Sequence, residues 1–107
     1  MDYTDSLIEQ VWNKAGIVLH YDSSVWRQDF AGAWIKRDQY GIQSKYGWEI
    51  DHLYPKSKGG SDDLSNLVPL HWRNNETKGN DMPEFQTSIT SDGNRNVEKR
   101  KQWKITR

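Results

Sequence analysis

Residues 48 to 80 leave the chain few ways to fold. An aromatic and apolar run from Trp48 to Tyr54 reads as a β-strand, and Pro55 ends it. Lys56 to Ser65 is a loop, and its Gly59-Gly60 pair permits the positive φ that a tight return needs. Leu67 to Leu70 is a second apolar strand, and Pro69 inside it implies an edge position or an early end. Trp72 to Lys78 reads as a helix with Gly79 as its stop. The expected unit is therefore strand, loop, strand, helix. Around it we expect a small α+β domain spanning all of residues 1–107, with the unit at about 48–80.

The remaining pattern is weaker. Leu7, Ile8, Val11 and Trp12 recur at helical spacing, which predicts a helix over about 5–15. Ser6 with Glu9 would form its capping box, and Gly16 suits the position after its end. Tyr21 to Ser24 reads as a turn, with Ser23 or Ser24 capping a short helix through Asp29. Ala33 to Lys36 suits a strand, and Ser44 to Gly47 a loop. Beyond Asp81, Pro83, Gly93 and several asparagines suggest irregular structure, followed by a helix from about Val97 to Trp103.

Composition limits what can hold such a chain together. Only 34% of the residues are apolar, but there are six tryptophans and five tyrosines. Each aromatic ring can bury roughly 150–250 Å², so Trp12, Trp26, Trp34, Trp48, Trp72 and Trp103 are the core candidates. The absence of cysteine rules out disulfides and thiolate zinc sites. No apolar run is long enough to span a membrane, so no membrane partner is expected. The acidic N-terminus lacks an apolar signal segment. A cytoplasmic location is the expectation.

The formal net charge is zero, which does not favour nucleic-acid binding. The charge is uneven, however. Between Asp92 and Arg107 stand six basic residues (Arg95, Lys99, Arg100, Lys101, Lys104, Arg107) and two acidic ones (Asp92, Glu98). This basic C-terminal tail suits either a solvated face or phosphate contact.

The 48–80 stretch also holds polar groups of an unusual mix. Hydrolysis of a phosphodiester needs a deprotonated water, neutralisation of charge on the phosphoryl oxygens, and help for the leaving alkoxide. Histidine suits the first task, because its ordinary pKa of about 6.5 lies near working pH. A divalent cation serves the others as a Lewis acid. Mg²⁺ prefers oxygen ligands and keeps several waters, so one carboxylate and one amide oxygen can suffice.

In their order and spacing, Asp51-His52, Asn66, Asn75 and Lys78, together with Gly59-Gly60 and the run from Pro55 to Leu67, resemble the HNH endonucleases, whose active site is a ββα-metal unit. The specific likeness runs from Trp48 to Asn80, and Trp26 to Gly47 follows the same family more loosely. The resemblance implies a metal-dependent endonuclease acting on duplex DNA that leaves 5′-phosphate and 3′-hydroxyl ends. It implies His52 as general base, and Asp51 and Asn75 as ligands of a single Mg²⁺ or Mn²⁺. Asn66 would brace the loop and orient the base. Lys78 would stand near the scissile phosphate or in a supporting ion pair. A bacterial or phage-infected cell is the implied setting, and a protein partner could supply DNA affinity. The alternative is a family member that has lost catalysis and serves as a DNA-binding or assembly module.

Two points stand against a simple transfer. Adjacent strand residues point to opposite faces, so Asp51 and His52 serve one site only if the strand bends or ends there. Many relatives also carry Cys-x-x-Cys pairs that hold a structural zinc. This chain has Asn74 where a cysteine often precedes the helical Asn. No structural zinc is expected, and packing of Trp48 and Trp72 would have to hold the unit. His71 reads as structural or substrate-contacting, His20 as structural, and Arg73 as either a phosphate contact or a solvated helix residue.

Overall fold

In the computed structural model, which describes residues 3–106, the chain is an α+β assembly of two helices and three antiparallel strand pairs. Helix α1 (Asp5–Trp12) is followed by the pair β1 (Trp26–Gln28) and β2 (Trp34–Lys36). Next come β3 (Trp48–His52), β4 (Leu67–His71) and helix α2 (Trp72–Lys78), and the chain closes with the hairpin of β5 (Glu84–Asp92) and β6 (Arg95–Lys104).

Helix α1 is shorter than expected and starts from a different cap. Thr4, not Ser6, accepts from Leu7 N, at 3.1 Å, and Gly16 pairs with Gln28 in an isolated β-bridge instead of closing the helix. The segment read as a short helix through Asp29 is strand β1, because Trp26 to Gln28 pair in register with Trp34 to Lys36. Ile8, Val11 and Trp12 on one face of α1 pack with Ile35, Trp48 and Leu67. The Trp12 and Trp48 ring centroids are 5.3 Å apart. Of the six tryptophans, Trp12, Trp34 and Trp48 are buried, while Trp26, Trp72 and Trp103 are half-buried.

The strand–loop–strand–helix unit forms with β3 and β4 antiparallel, Asp51 opposite Val68 and His52 opposite Leu67. Pro69 sits opposite Ile50 in this two-stranded sheet, where its missing N–H can face outward. The loop between the strands turns at Gly59, whose φ is 93°, and at Gly60, where a Cβ would lie 1.7 Å from Tyr54 O. Any side chain at position 60 would force the loop away from the end of β3.

The largest departure from sequence expectation is at the C-terminus. The tail and the helix over Val97–Trp103 are replaced by strand β6, paired along its length with β5. Lysine, arginine, glutamine and glutamate favour helices locally, but Phe85, Thr87 and Ile89 alternate inward on β5 and recruit β6 as partner. Gly93 (φ 62°) and Asn94 form the two-residue hairpin turn.

What stands where relatives often have zinc is a buried polar knot. Asn74, fully buried, accepts from Ser88 N at 2.9 Å and Ile89 N at 2.7 Å. Its amide donates to Ile89 O at 2.9 Å and Asp29 Oδ2 at 3.0 Å. Asp29 in turn accepts from Ala31 N, Ala33 N and His71 N. Burial pushes the Asp29 carboxyl up, and these donors oppose that rise. The tryptophans thus share the task with hydrogen bonds that join α2 to the loop after β1 and to β5. Asn74→Ala should therefore lower unfolding free energy by about 3 kcal/mol or more, since each orphaned buried group costs roughly 1–3 kcal/mol. Urea unfolding of the variant, with a zinc chelator without effect on either protein, is the measurement; a loss under about 1 kcal/mol would show that the knot is dispensable.

Candidate active site

Strand β3 presents its residues to two sides. Glu49 and Asp51 meet helix α2, on which Asn75 and Lys78 stand one turn apart on a shared face. Asn75 Nδ2 donates to Glu49 Oε2 at 3.4 Å, a long bond that leaves the amide oxygen uncommitted to it. Lys78 is fully buried, and its Nζ lies 3.1 Å from Asp51 Oδ2. That ammonium also donates to His52 O at 3.3 Å and sits 5.3 Å from the Phe85 ring centroid. Of the two places considered for Lys78, it occupies the ion pair and is closed off from solvent.

Asp51 is the most perturbed group of the site. Burial raises its carboxyl from an ordinary 3.8 to about 6, with Glu49 adding to the rise and Lys78 and then His52 opposing it. Its buried Oδ2 faces the Lys78 ammonium, and no other group among the described residues bonds to it. With Lys78 on Oδ2, the other oxygen of the Asp51 carboxylate and the Asn75 amide oxygen are the hard donors that a cation taking oxygen ligands would use. Among the described residues no three carboxylate or imidazole side chains cluster as a metal site. A cation here would thus rest on Asp51 and Asn75, with water completing its shell.

His52 ends β3, where regular alternation stops. Its Nε2 lies 2.8 Å from Asp62 Oδ1, on the far limb of the Gly-Gly loop, and Lys56 Nζ lies 3.1 Å from Asp62 Oδ2. The contacts with His52 and Lys56 hold the Asp62 carboxyl below the usual range. Tyr3, Tyr40, Glu49, His52 and Lys56 line a cavity of about 400 Å³. Glu49 borders this cavity and also meets Asn75, so it connects the two sides of the strand.

The Asn66 side chain bonds to the loop and not to the His52 ring. It accepts from Tyr54 N at 2.9 Å and donates to Tyr54 O at 3.0 Å and Ser61 O at 2.8 Å. Those bonds clamp both limbs of the loop and fix Ser61, the residue before Asp62. Lys14, in the turn after α1, adds a second clamp, donating to the carbonyls of Leu64 and Leu67.

The other singled-out residues lie apart from this cluster. His71 is buried at the start of α2, where Nδ1 accepts from Arg73 N at 3.1 Å and Nε2 donates to Lys45 O at 2.9 Å. Burial pushes its pKa down, in keeping with a neutral ring. His20 occupies a positive-φ turn (φ 72°) and is exposed. Arg73 pairs with Glu98 at 2.5 Å. Sequence reasoning missed Glu49 and Asp62. Glu49 was detectable as the residue two before Asp51, hence on the same face; Asp62 becomes visible only once the loop has folded back.

A β-hairpin closed by a helix, with Asp-His at the end of the first strand and Asn and Lys on the helix, defines a ββα nuclease unit. The HNH endonuclease family model matches residues 30–84, and the chain belongs to that family. Such enzymes generally use a divalent metal. The chain is also 55% identical over 31 residues to the probable mobile endonuclease C of Enterobacteria phage T4. That likeness covers 29% of this chain and only 15% of the relative. No solved structure is a significant match.

Proposed function

We propose that the chain is a metal-dependent endonuclease that hydrolyses DNA phosphodiester bonds, with His52 as general base and Asp51 and Asn75 holding one Mg²⁺ or Mn²⁺. The observation that carries this reading is the buried Asp51 carboxylate beside the Asn75 face of α2, next in sequence to a histidine already paired with a carboxylate. When bound, the cation would supply Lewis-acid neutralisation of charge on the phosphoryl and leaving oxygens. A zinc-preferring reading is less apt, because the donors are hard oxygens.

The protein's own groups account for the proton chemistry. An ionised Asp62 can only accept, so the proton of neutral His52 resides on Nε2. Nδ1 then carries the lone pair and takes a proton from the attacking water. Asn66 acts at a distance, since its bonds to Tyr54 and Ser61 keep Asp62 within reach of His52. Lys78 balances the buried charge of Asp51 and stays out of contact with substrate.

Duplex DNA is the proposed substrate, acted on in the cytoplasm of a bacterial or phage-infected cell. The likeness to a probable mobile endonuclease of a phage supports a mobile-element setting, and a partner or further domain would add DNA affinity to a chain of zero net charge. Supercoiled plasmid incubated with a panel of divalent cations tests the proposal. Nicking is expected with Mg²⁺ or Mn²⁺ and none with a chelator, and calorimetry should show Mn²⁺ binding that Asn75→Ala weakens. Failure to cleave with every cation would overturn the enzymatic reading, and unchanged Mn²⁺ binding in Asn75→Ala would overturn the ligand set.

A further inference from the structure

The cations of this chain are unevenly committed. Arg27 and Lys101 are tied to carbonyls, Arg37 and Lys56 to exposed carboxylates, and Lys78 to the buried Asp51. On β6 the situation differs. Lys99 has no ion-pair or hydrogen-bond partner among the described residues, and Arg100 donates only to the neutral Gln86, at 3.0 Å. Both are exposed.

A β-bulge brings them together. Thr87 is opposite Lys101 and Ile89 is opposite Glu98, so the single residue Ser88 faces both Lys99 and Arg100. In a regular ladder neighbouring residues alternate sides; a bulge sets two residues against one and re-aims a side chain. Here it directs two consecutive cations toward α2. Together with Arg73, Ser88 and Glu98 they line a cavity of about 220 Å³. Three cations against one carboxylate leave the cavity with net positive charge. The Arg73 and Glu98 side chains are 41% and 72% exposed, so their ion pair is open to competition from another anion.

We propose that this bulge cavity, formed by Arg73, Lys99 and Arg100, binds a backbone phosphate of the nucleic-acid substrate, away from the bond that is cut. The proposal rests on the nuclease reading and adds a substrate contact to it. Arg73 and Thr77 face β5 and β6, whereas Asn75 faces β3, so the two phosphate positions flank opposite sides of one short helix. A DNA strand in the active site would cross α2 to reach the bulge. Guanidinium groups suit this task, since their paired N–H donors match phosphate oxygens. Zero net charge over the whole chain is then compatible with local affinity, because three cations and one carboxylate gather at this cavity.

The test is DNA affinity of the full chain without divalent metal, by fluorescence anisotropy on a duplex oligonucleotide between about 50 and 200 mM salt. Three proteins are compared: wild type, Lys99→Gln with Arg100→Gln, and Glu98→Gln. Each phosphate contact contributes about 0.9 to the slope of log affinity against log salt. The double variant loses at most this one phosphate contact and should flatten the slope by up to about 0.9, so that it loses about threefold less affinity across that salt range. Glu98→Gln frees Arg73 and should bind more tightly than wild type. Circular dichroism verifies that the variants are folded, and Glu98→Gln gives a result even if the double variant is not. An unchanged slope in a folded double variant, or no gain in Glu98→Gln, overturns the assignment. So does displacement of no DNA by inorganic phosphate at wild-type level but phosphate binding at these residues, which would mark a free-anion site. If wild type binds DNA with the expected slopes yet cuts no plasmid, the phosphate site stands and the nuclease reading falls; if it cuts plasmid with a slope indifferent to these residues, the reverse holds.

Discussion

His52→Ala should reduce plasmid nicking by about 10²–10⁴-fold, the usual contribution of a positioned general base. The side chain stands at the strand end outside the hydrophobic core cluster and pairs with Asp62 across the loop. Loss of activity should therefore come without loss of fold, which circular dichroism can verify. Asp62→Asn gives a finer result. An amide at position 62 can present its NH₂ to His52, so the ring is no longer restricted to the tautomer with the proton on Nε2. Its nicking rate should fall between those of wild type and His52→Ala, and the ¹⁵N shifts of the His52 ring should report a mixed tautomer. Nicking by His52→Ala at the wild-type rate would refute the base assignment.

Lys78→Met should cost about 3–5 kcal/mol of unfolding free energy, because it leaves a buried carboxylate without its cation. Methionine matches the length of the lysine stem, so packing against Phe85 is largely kept and the loss reports charge. Adding Asp51→Asn to Lys78→Met should restore much of the stability while abolishing cleavage. The same pair gives a pH signature. The folded Asp51 carboxyl sits at about 6, above its ordinary 3.8, chiefly because of burial. Between these values the folded chain keeps a proton that the unfolded chain has released. Stability should then fall as pH rises from about 4 to about 6, by up to about 3 kcal/mol, and level off above. Mn²⁺ favours the ionised carboxylate, so adding it within that window should release protons and flatten the profile. Urea titrations across the window measure both effects; a profile flat without metal, or a Lys78→Met cost below about 1 kcal/mol, would refute the buried-pair account.

The central unit was legible because its signals are local. Pro55, Gly59-Gly60 and Gly79 punctuate the chain, and the bounds of α2 match the expected Trp72 to Lys78. The order of Asp51, His52, Asn66 and Asn75 carried the family. Less legible was everything that depends on distant partners. Val97 to Trp103 has strong local helix formers and folds as strand because β5 offers an inward-facing row of Phe85, Thr87 and Ile89. Trp26 to Gln28 is a strand only because Trp34 to Lys36 lies beside it. The ion pair of Lys78 was one of the two roles expected for it, but its full burial depends on Phe85 of the distant β5 strand. Asn74 was visible as a departure from the cysteine pattern, but its partners Asp29, Ser88 and Ile89 could not be inferred from spacing.

The knot at Asn74 has a consequence for the moment at which this molecule becomes active. Every motif residue from Asp51 to Lys78 leaves the ribosome before Phe85, Ser88 and Ile89 do. Until those arrive, Asn74 lacks three of its four bonds and Lys78 has no lid. Contacts between residues far apart in sequence form late, after their loop-closure entropy has been met. On the proposed reading, the site residues are made first but held in place only once the β5–β6 hairpin folds, so a half-made copy is expected to carry the motif without being able to cut.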